Sequence, residues 1–226
     1  EHAGGGIFVF HASPTLRNLI VTNNSVDGHR AYSWGGGIAL FFHSNSILEN
    51  VEICNNVAGV GGGLNVYNRC EPRLRNVTIH DNQALIQENQ WGSSGAGGGL
   101  YCAGTPTFER CVVFENTAER FGGGLFFDGG LTTIQNLTIT ANTAPHGAGI
   151  WFQATEAELL NTICWANDGN EIQFRDNYGN PALTVNYSDI DGGVGAIIGN
   201  GDVTWGNGNI DADPLFVDPE NDDYHI

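Results

Sequence analysis

The chain has 226 residues, 41% of them hydrophobic, which is enough for one sizeable core, and its 33 glycines follow no G-X-Y period, so collagen is excluded. Against 25 acidic residues stand eight arginines and no lysine, a formal charge of -17. Such a surface repels nucleic acid and anionic membranes, because displacing counterions from phosphates takes Lys or Arg, and no apolar run is long enough for membrane insertion.

The chain opens on EHAGGGIFVF, and this glycine-aliphatic unit returns throughout. GGGI ends at Ile7 and Ile38, GGGL at Leu64, Leu100 and Leu125, and GAGI at Ile150. A second unit alternates with it. LRNLIVTNN ends at Asn24, LENVEICNN at Asn56, LRNVTIHDN at Asn82, FERCVVFEN at Asn116, IQNLTITAN at Asn142 and LLNTICWAN at Asn167. Both units have strand period and neither reads as a helix. One unit cannot bury its own apolar face, so units must stack. A coil of roughly 25 residues with short strands and Gly/Asn corners predicts an all-β fold, a single-stranded right-handed parallel β-helix of about seven coils, with neighbouring coils about 4.8 Å apart. The whole chain, 1–226, forms one such domain; residues 168–226 supply less regular C-terminal coils and cover the end of the core.

Alternation also fixes the interior. Four inward ladders are expected. They are Ile7, Ile38, Leu64, Leu100, Leu125 and Ile150; Val9, Leu40, Val66, Cys102, Phe127 and Phe152; Leu19, Val51, Val77, Cys111, Leu137 and Thr162; and Val21, Ile53, Ile79, Val113, Ile139 and Cys164. The glycine block turns one corner, where glycine permits positive φ and leaves room for the next coil. The terminal asparagines occupy another corner, where Asn tolerates the left-handed conformation and stacked amides bond from coil to coil. Four N-x-S/T sequons (Asn23, Asn76, Asn136, Asn186) belong to this repeat rather than to glycan attachment. The five cysteines show no zinc spacing, and an odd count argues against a full disulfide framework. Core thiols are expected, with a Cys70–Cys102 bridge as the alternative.

The GG-[GA]-[IL] corner followed by L-x-N-[LV]-T-[IV]-x-x-N-x-A resembles the repeats of chlamydial polymorphic outer-membrane proteins. The tail NGNIDADPLFVDPENDDYHI is similar to the end of the helix in choice-of-anchor type secreted bacterial proteins. The resemblance covers nearly the whole chain. It implies an extracellular or cell-surface address and a piece of a longer protein with neighbouring domains. It does not name an activity, because one scaffold carries lyases, hydrolases, epimerases and adhesins.

Function on such a scaffold belongs to an outward face or to corner insertions. Two insertions stand out. One, between Asn24 and Ile38, carries Asp27, His29, Arg30 and Trp34; the other, between Asn82 and Leu100, carries Glu88 and Trp91, and the short coil between them leaves a notch. The strand after each glycine block places Tyr67, Tyr101, Phe126 and Trp151 at outward positions. An exposed aromatic strip marks a binding surface. Trp34, Tyr67, Trp91, Tyr101, Phe126 and Trp151 are therefore the candidate ligand-binding residues, stacking on the rings of a polysaccharide or cell-surface glycan in a non-catalytic binding or adhesion module. The alternatives are that other polypeptide covers the strip, that the module is a purely structural stalk, or that it is a polysaccharide lyase or glycoside hydrolase using Asp27, His29, Arg30 and Glu88 across the notch. Catalysis has less support than binding: there is no lysine base, and His146-Gly147 lacks the R-x-K partner of a polygalacturonase-like site. No cofactor is required. Calcium is the one candidate, at Asp189, Asp191, Asp211 and Asp213 in the acidic C-terminal part, although DIDGG and DADP read first as turns.

Overall fold

The structure, a computed structural model, describes residues 2–26, 33–87, 94–175, 179–224 and 226. All of its paired strands are parallel, with one isolated antiparallel bridge between Asp218 and Asp223, and it contains no α-helix among the described residues, so none is long and apolar enough to cross a membrane. The fold is a parallel β-helix. Eight successive rungs form the spine of its ten-stranded first sheet: Ile7–Phe10, Ile38–Phe41, Leu64–Tyr67, Leu100–Cys102, Leu125–Gln135, Ile150–Leu160, Ile172–Phe174 and Ile197–Ile198, with Ala182–Asn186 and Asp202–Trp205 stacked on the second half of Ile150–Leu160. A second sheet stacks Thr15–Thr22, Ile47–Cys54, Arg73–His80, Cys111–Phe114, Leu137–Thr140, Ile163–Trp165 and Asp189–Ile190. A short third sheet joins Val57–Ala58, Gln83–Ala84 and Thr117–Ala118 at the corner between them.

The pairing register matches the sequence alignment residue by residue. Ile7 pairs with Ile38, Ile38 with Leu64, Leu64 with Leu100, Leu100 with Leu125 and Leu125 with Ile150. Leu19, Val51 and Val77 pair in the second sheet, as do Val21, Ile53 and Ile79. These side chains meet in one continuous core that also holds Cys70, Cys102, Cys111 and Cys164. All five cysteines are free thiols, and the Cys70–Cys102 bridge does not form. Burial pushes the Cys102 thiol up to about 12, as expected for a small apolar residue in place of an aliphatic one.

Each glycine of a block has its own reason to be glycine. In the fourth coil Gly97 has φ +68, and a Cβ on Gly98 would lie 2.4 Å from the carbonyl oxygen of Gly123 in the next coil. The first turns the chain and the second lets neighbouring coils touch.

The asparagine corner differs from expectation in one respect. The left-handed residue is the one before each repeat-terminal asparagine: Asn23, Asn55, Asp81, Glu115, Ala141 and Ala166 have φ between +51 and +58. The asparagines that follow turn inward instead. Asn24, Asn56, Asn82, Asn116 and Asn142 each donate Nδ2–H to Oδ1 of the next asparagine at 2.9–3.0 Å. The same Oδ1 accepts the backbone N–H of the preceding asparagine at 2.9–3.1 Å. A separate, exposed ladder follows the L-x-N position of the repeat: Asn50 donates to Asn18 and Asn76 to Asn50.

The C-terminal stretch does two things. Ala196, Ile197, Val203 and Trp205 pack on the last core residues and close that end of the helix. From residue 206 the chain then turns back along the flank of the second sheet, where the Tyr224 ring meets Phe114 at 4.8 Å.

Candidate functional site

The outward face of the first sheet divides into a closed part and an open part. Tyr101, Phe126 and Trp151 stand at the expected outward positions, paired in register. They are not exposed: 2%, 1% and 5% of their surface reaches solvent. The expectation of an aromatic strip open to solvent is corrected here, and the cover comes from within the same coils. Val60, Ala96 and Phe121, each immediately before a glycine block, pack over the strand and build a second, smaller apolar cluster. Phe121 meets Trp151 at 4.6 Å, and Tyr101 stacks on Phe126 at 5.0 Å. Trp34 and Tyr67 are half-buried at the edge of this cluster, 5.1 Å apart. Beyond it a polar relay crosses the coils: Tyr101 Oη donates to Asp128 Oδ2 at 2.6 Å, Gln153 Nε2 donates to Asp128 Oδ1 at 2.7 Å, and Arg175 donates to Gln153 Oε1.

Asp27, His29, Arg30, Glu88 and Trp91, and with them the notch, lie outside the described residues. The four C-terminal aspartates come together on adjacent coils, but backbone amides engage their carboxylates. Ala212 N–H donates to Asp189, Ala166 N–H to Asp191, Gly192 N–H to Asp211 and Leu215 N–H to Asp213. Burial, then the neighbouring carboxylates, push the Asp189 carboxyl upward. The structure supplies turn hydrogen bonds here, as the Asp-Gly and Asp-Pro pairs suggest.

The open part is a trough at the corner between the two main sheets. Three contiguous depressions of about 400, 530 and 450 Å³ share their lining residues. The first and second share Asn45, Glu71 and Thr105; the second and third share Ile47, Arg73, Thr107 and Gln135. The trough exists because the sheet parts there. Thr107–Glu109 pairs with Arg73–Arg75 on one side and with no strand on the other. The next coil runs on as one strand from Leu125 to Gln135, and its Leu131–Gln135 part pairs only with Glu156–Leu160. Gly129 and Gly130, at φ +78 and +85, let this coil swing away. Strand edges that face each other without pairing leave N–H and C=O groups free to bond a ligand. Thr132 borders the trough, but its hydroxyl points into the core, where it has no hydrogen-bond partner among the described residues.

Charge around the trough is uneven. Arg17, Arg69, Arg73 and Arg75 line it, half of the arginines of the chain. Arg17 pairs with Glu49 at 2.6 Å and Arg75 with Glu109 at 2.8 Å. Arg69 and Arg73 are exposed and make no ion pair among the described residues; Glu71 stands between them. This cluster was missed in the sequence: only Arg73 and Arg75 share an outward row of the Arg73–His80 strand, while Arg69, at φ +60, and Glu71 lie in the bend before it.

Comparison with known proteins supports the architecture. The family model described as "Right handed beta helix region" matches residues 1–119. The metabotropic glutamate receptor-like protein R of Dictyostelium discoideum is 29% identical over 114 residues, which is 50% of this chain and 7% of that protein. The chain therefore spans a small fraction of that relative's length. No solved structure matches it.

Proposed function

The chain belongs to the right-handed β-helix family, and on that premise we propose that it is a non-catalytic, extracellular module that holds an acidic polysaccharide in the corner trough. The observation that carries the reading is the pair of exposed guanidiniums, Arg69 and Arg73, without an ion pair among the described residues, on the wall of an open trough in a chain of net charge -17. Their planar forks suit carboxylate or sulfate groups spaced along a polymer. Glu71 and the unpaired strand edges accept and donate to sugar hydroxyls. Of the aromatic candidates Tyr67, two residues before Arg69, offers a half-exposed ring for stacking at the approach to the trough, while Trp34, Tyr101, Phe126 and Trp151 belong to the apolar cluster on the neighbouring sheet face. The long, shallow shape suits an extended chain rather than a compact ligand.

Affinity electrophoresis in gels cast with polygalacturonate or with neutral dextran tests this. The wild type is retarded by polygalacturonate and not by dextran, and an Arg69→Ala/Arg73→Ala double variant migrates freely in both. Equal retardation of wild type and double variant would remove the trough from the account.

A further inference from the structure

On the outward face of the second sheet, away from the trough, three side chains of different chemistry converge. Glu52 and Cys54 are two residues apart on one strand and so point to the same side. His80 sits one coil further on, paired in register with Cys54. Glu52 Oε1 lies 3.3 Å from His80 Nε2 and 3.5 Å from Cys54 Sγ, and the three ligand atoms all fall within 4.8 Å of one another. Cys54 is the one cysteine outside the main core; the other four are packed within it.

The histidine is held in the orientation that a metal ligand needs. Its Nδ1 lies 2.8 Å from Asp81 Oδ2. With the Nδ1 proton donated to that carboxylate, the Nε2 lone pair points at Glu52. Phe114 stacks under the imidazole at 4.8 Å with planes 5° apart, and Tyr224 backs Phe114 from the returning tail. A carboxylate–histidine pair of this kind fixes tautomer and ring angle in metal sites. Nε2 and Oε1 then face each other with lone pairs on both, and the thiol sulfur lies beside the same oxygen; a cation among the three satisfies all of them. Asp81 adds a second carboxylate beside the three, which favours a cation there further.

From this geometry we infer that Glu52, Cys54 and His80 form a binding site for a zinc-class divalent ion, with Asp81 positioning the histidine. Tetrahedral ligands at about 2.0–2.3 Å from such an ion stand roughly 3.3–3.7 Å apart, which the two short separations already meet. The donor set of thiolate, imidazole and one carboxylate selects zinc, cobalt or nickel over calcium, which takes oxygen ligands alone. Three protein ligands leave the fourth position to water, on the side where Glu52 opens to solvent.

Cobalt(II) titration of the whole chain, followed by near-ultraviolet and visible absorption, tests the site. One equivalent of cobalt should give a sulfur-to-cobalt charge-transfer band, and excess zinc should remove it. Cys54→Ser should abolish the band, His80→Gln should abolish stoichiometric binding, and Asp81→Asn should weaken affinity about 10- to 100-fold with the band shape kept. Circular dichroism of each variant confirms that it is folded. A folded wild type that shows no such band, or a band that persists in Cys54→Ser, overturns the assignment.

Discussion

Glu171 takes the place of an asparagine: its Oε1 accepts the backbone N–H of Asn167 at 2.9 Å, where in every earlier coil that acceptor is Oδ1 of the next asparagine. Its second oxygen accepts Asn167 Nδ2–H, so the carboxylate ends a ladder that crosses six coils. The exchange puts an acid into the interior. Burial pushes its carboxyl above the ordinary 4.5, and the Asn167 hydrogen bonds oppose that shift without cancelling it.

A pH dependence follows. The native state holds this proton more tightly than the unfolded chain does, so the stability it contributes is complete below pH 4.5 and is lost as pH rises through the native value. Glutamine at the site keeps one acceptor and cannot ionise. Urea unfolding at pH 4 and pH 7 should show the gap between wild type and Glu171→Gln moving in favour of the variant at the higher pH. A gap that does not change with pH would mean that the carboxylate is solvated in the folded chain.

The buried ladder should matter far more than the exposed one. Asn116→Ala removes the acceptor of both the backbone N–H and the Nδ2–H of Asn82, and three bonds that Asn116 donates itself. At roughly 1–3 kcal/mol for each buried group left unsatisfied, the loss should reach about 2–5 kcal/mol. Asn76→Ala on the exposed ladder should cost about 1 kcal/mol or less, because water replaces its partners. Chemical denaturation of the two variants decides the matter.

Much of this was legible in the sequence, and the reason is register. Ile38, Leu64, Leu100 and Leu125 could be assigned to one interior column because a period of two and a repeated glycine corner leave no other phase. The cover over Tyr101, Phe126 and Trp151 was not legible. It comes from Val60, Ala96 and Phe121, which lie in the bend before the glycines, where side-chain direction follows no strand period. The site residues hid for a related reason. Cys54 and His80 are 26 positions apart and carry no local motif; only the coil length makes them neighbours. The trough was hidden too, since nothing in the composition of Thr107–Glu109 says that the following coil will part from it.

The division between support and binding surface can be tested with two aromatic variants. Phe126→Ala empties the closed cluster and should destabilise the fold by about 3–5 kcal/mol. Tyr67→Ala, at the half-exposed edge, should leave the thermal midpoint nearly unchanged while reducing retardation in polygalacturonate gels. The reverse pattern would put the binding surface back on the covered strip.

The most direct test of the trough as the binding surface is to watch its guanidiniums. In the ¹⁵N-labelled chain, adding oligogalacturonate should shift the Nε–Hε signals of Arg69 and Arg73 in a saturable way and leave that of Arg110, on the second sheet beside Asn76, in place. Saturable binding that leaves both Arg69 and Arg73 unmoved would contradict the account.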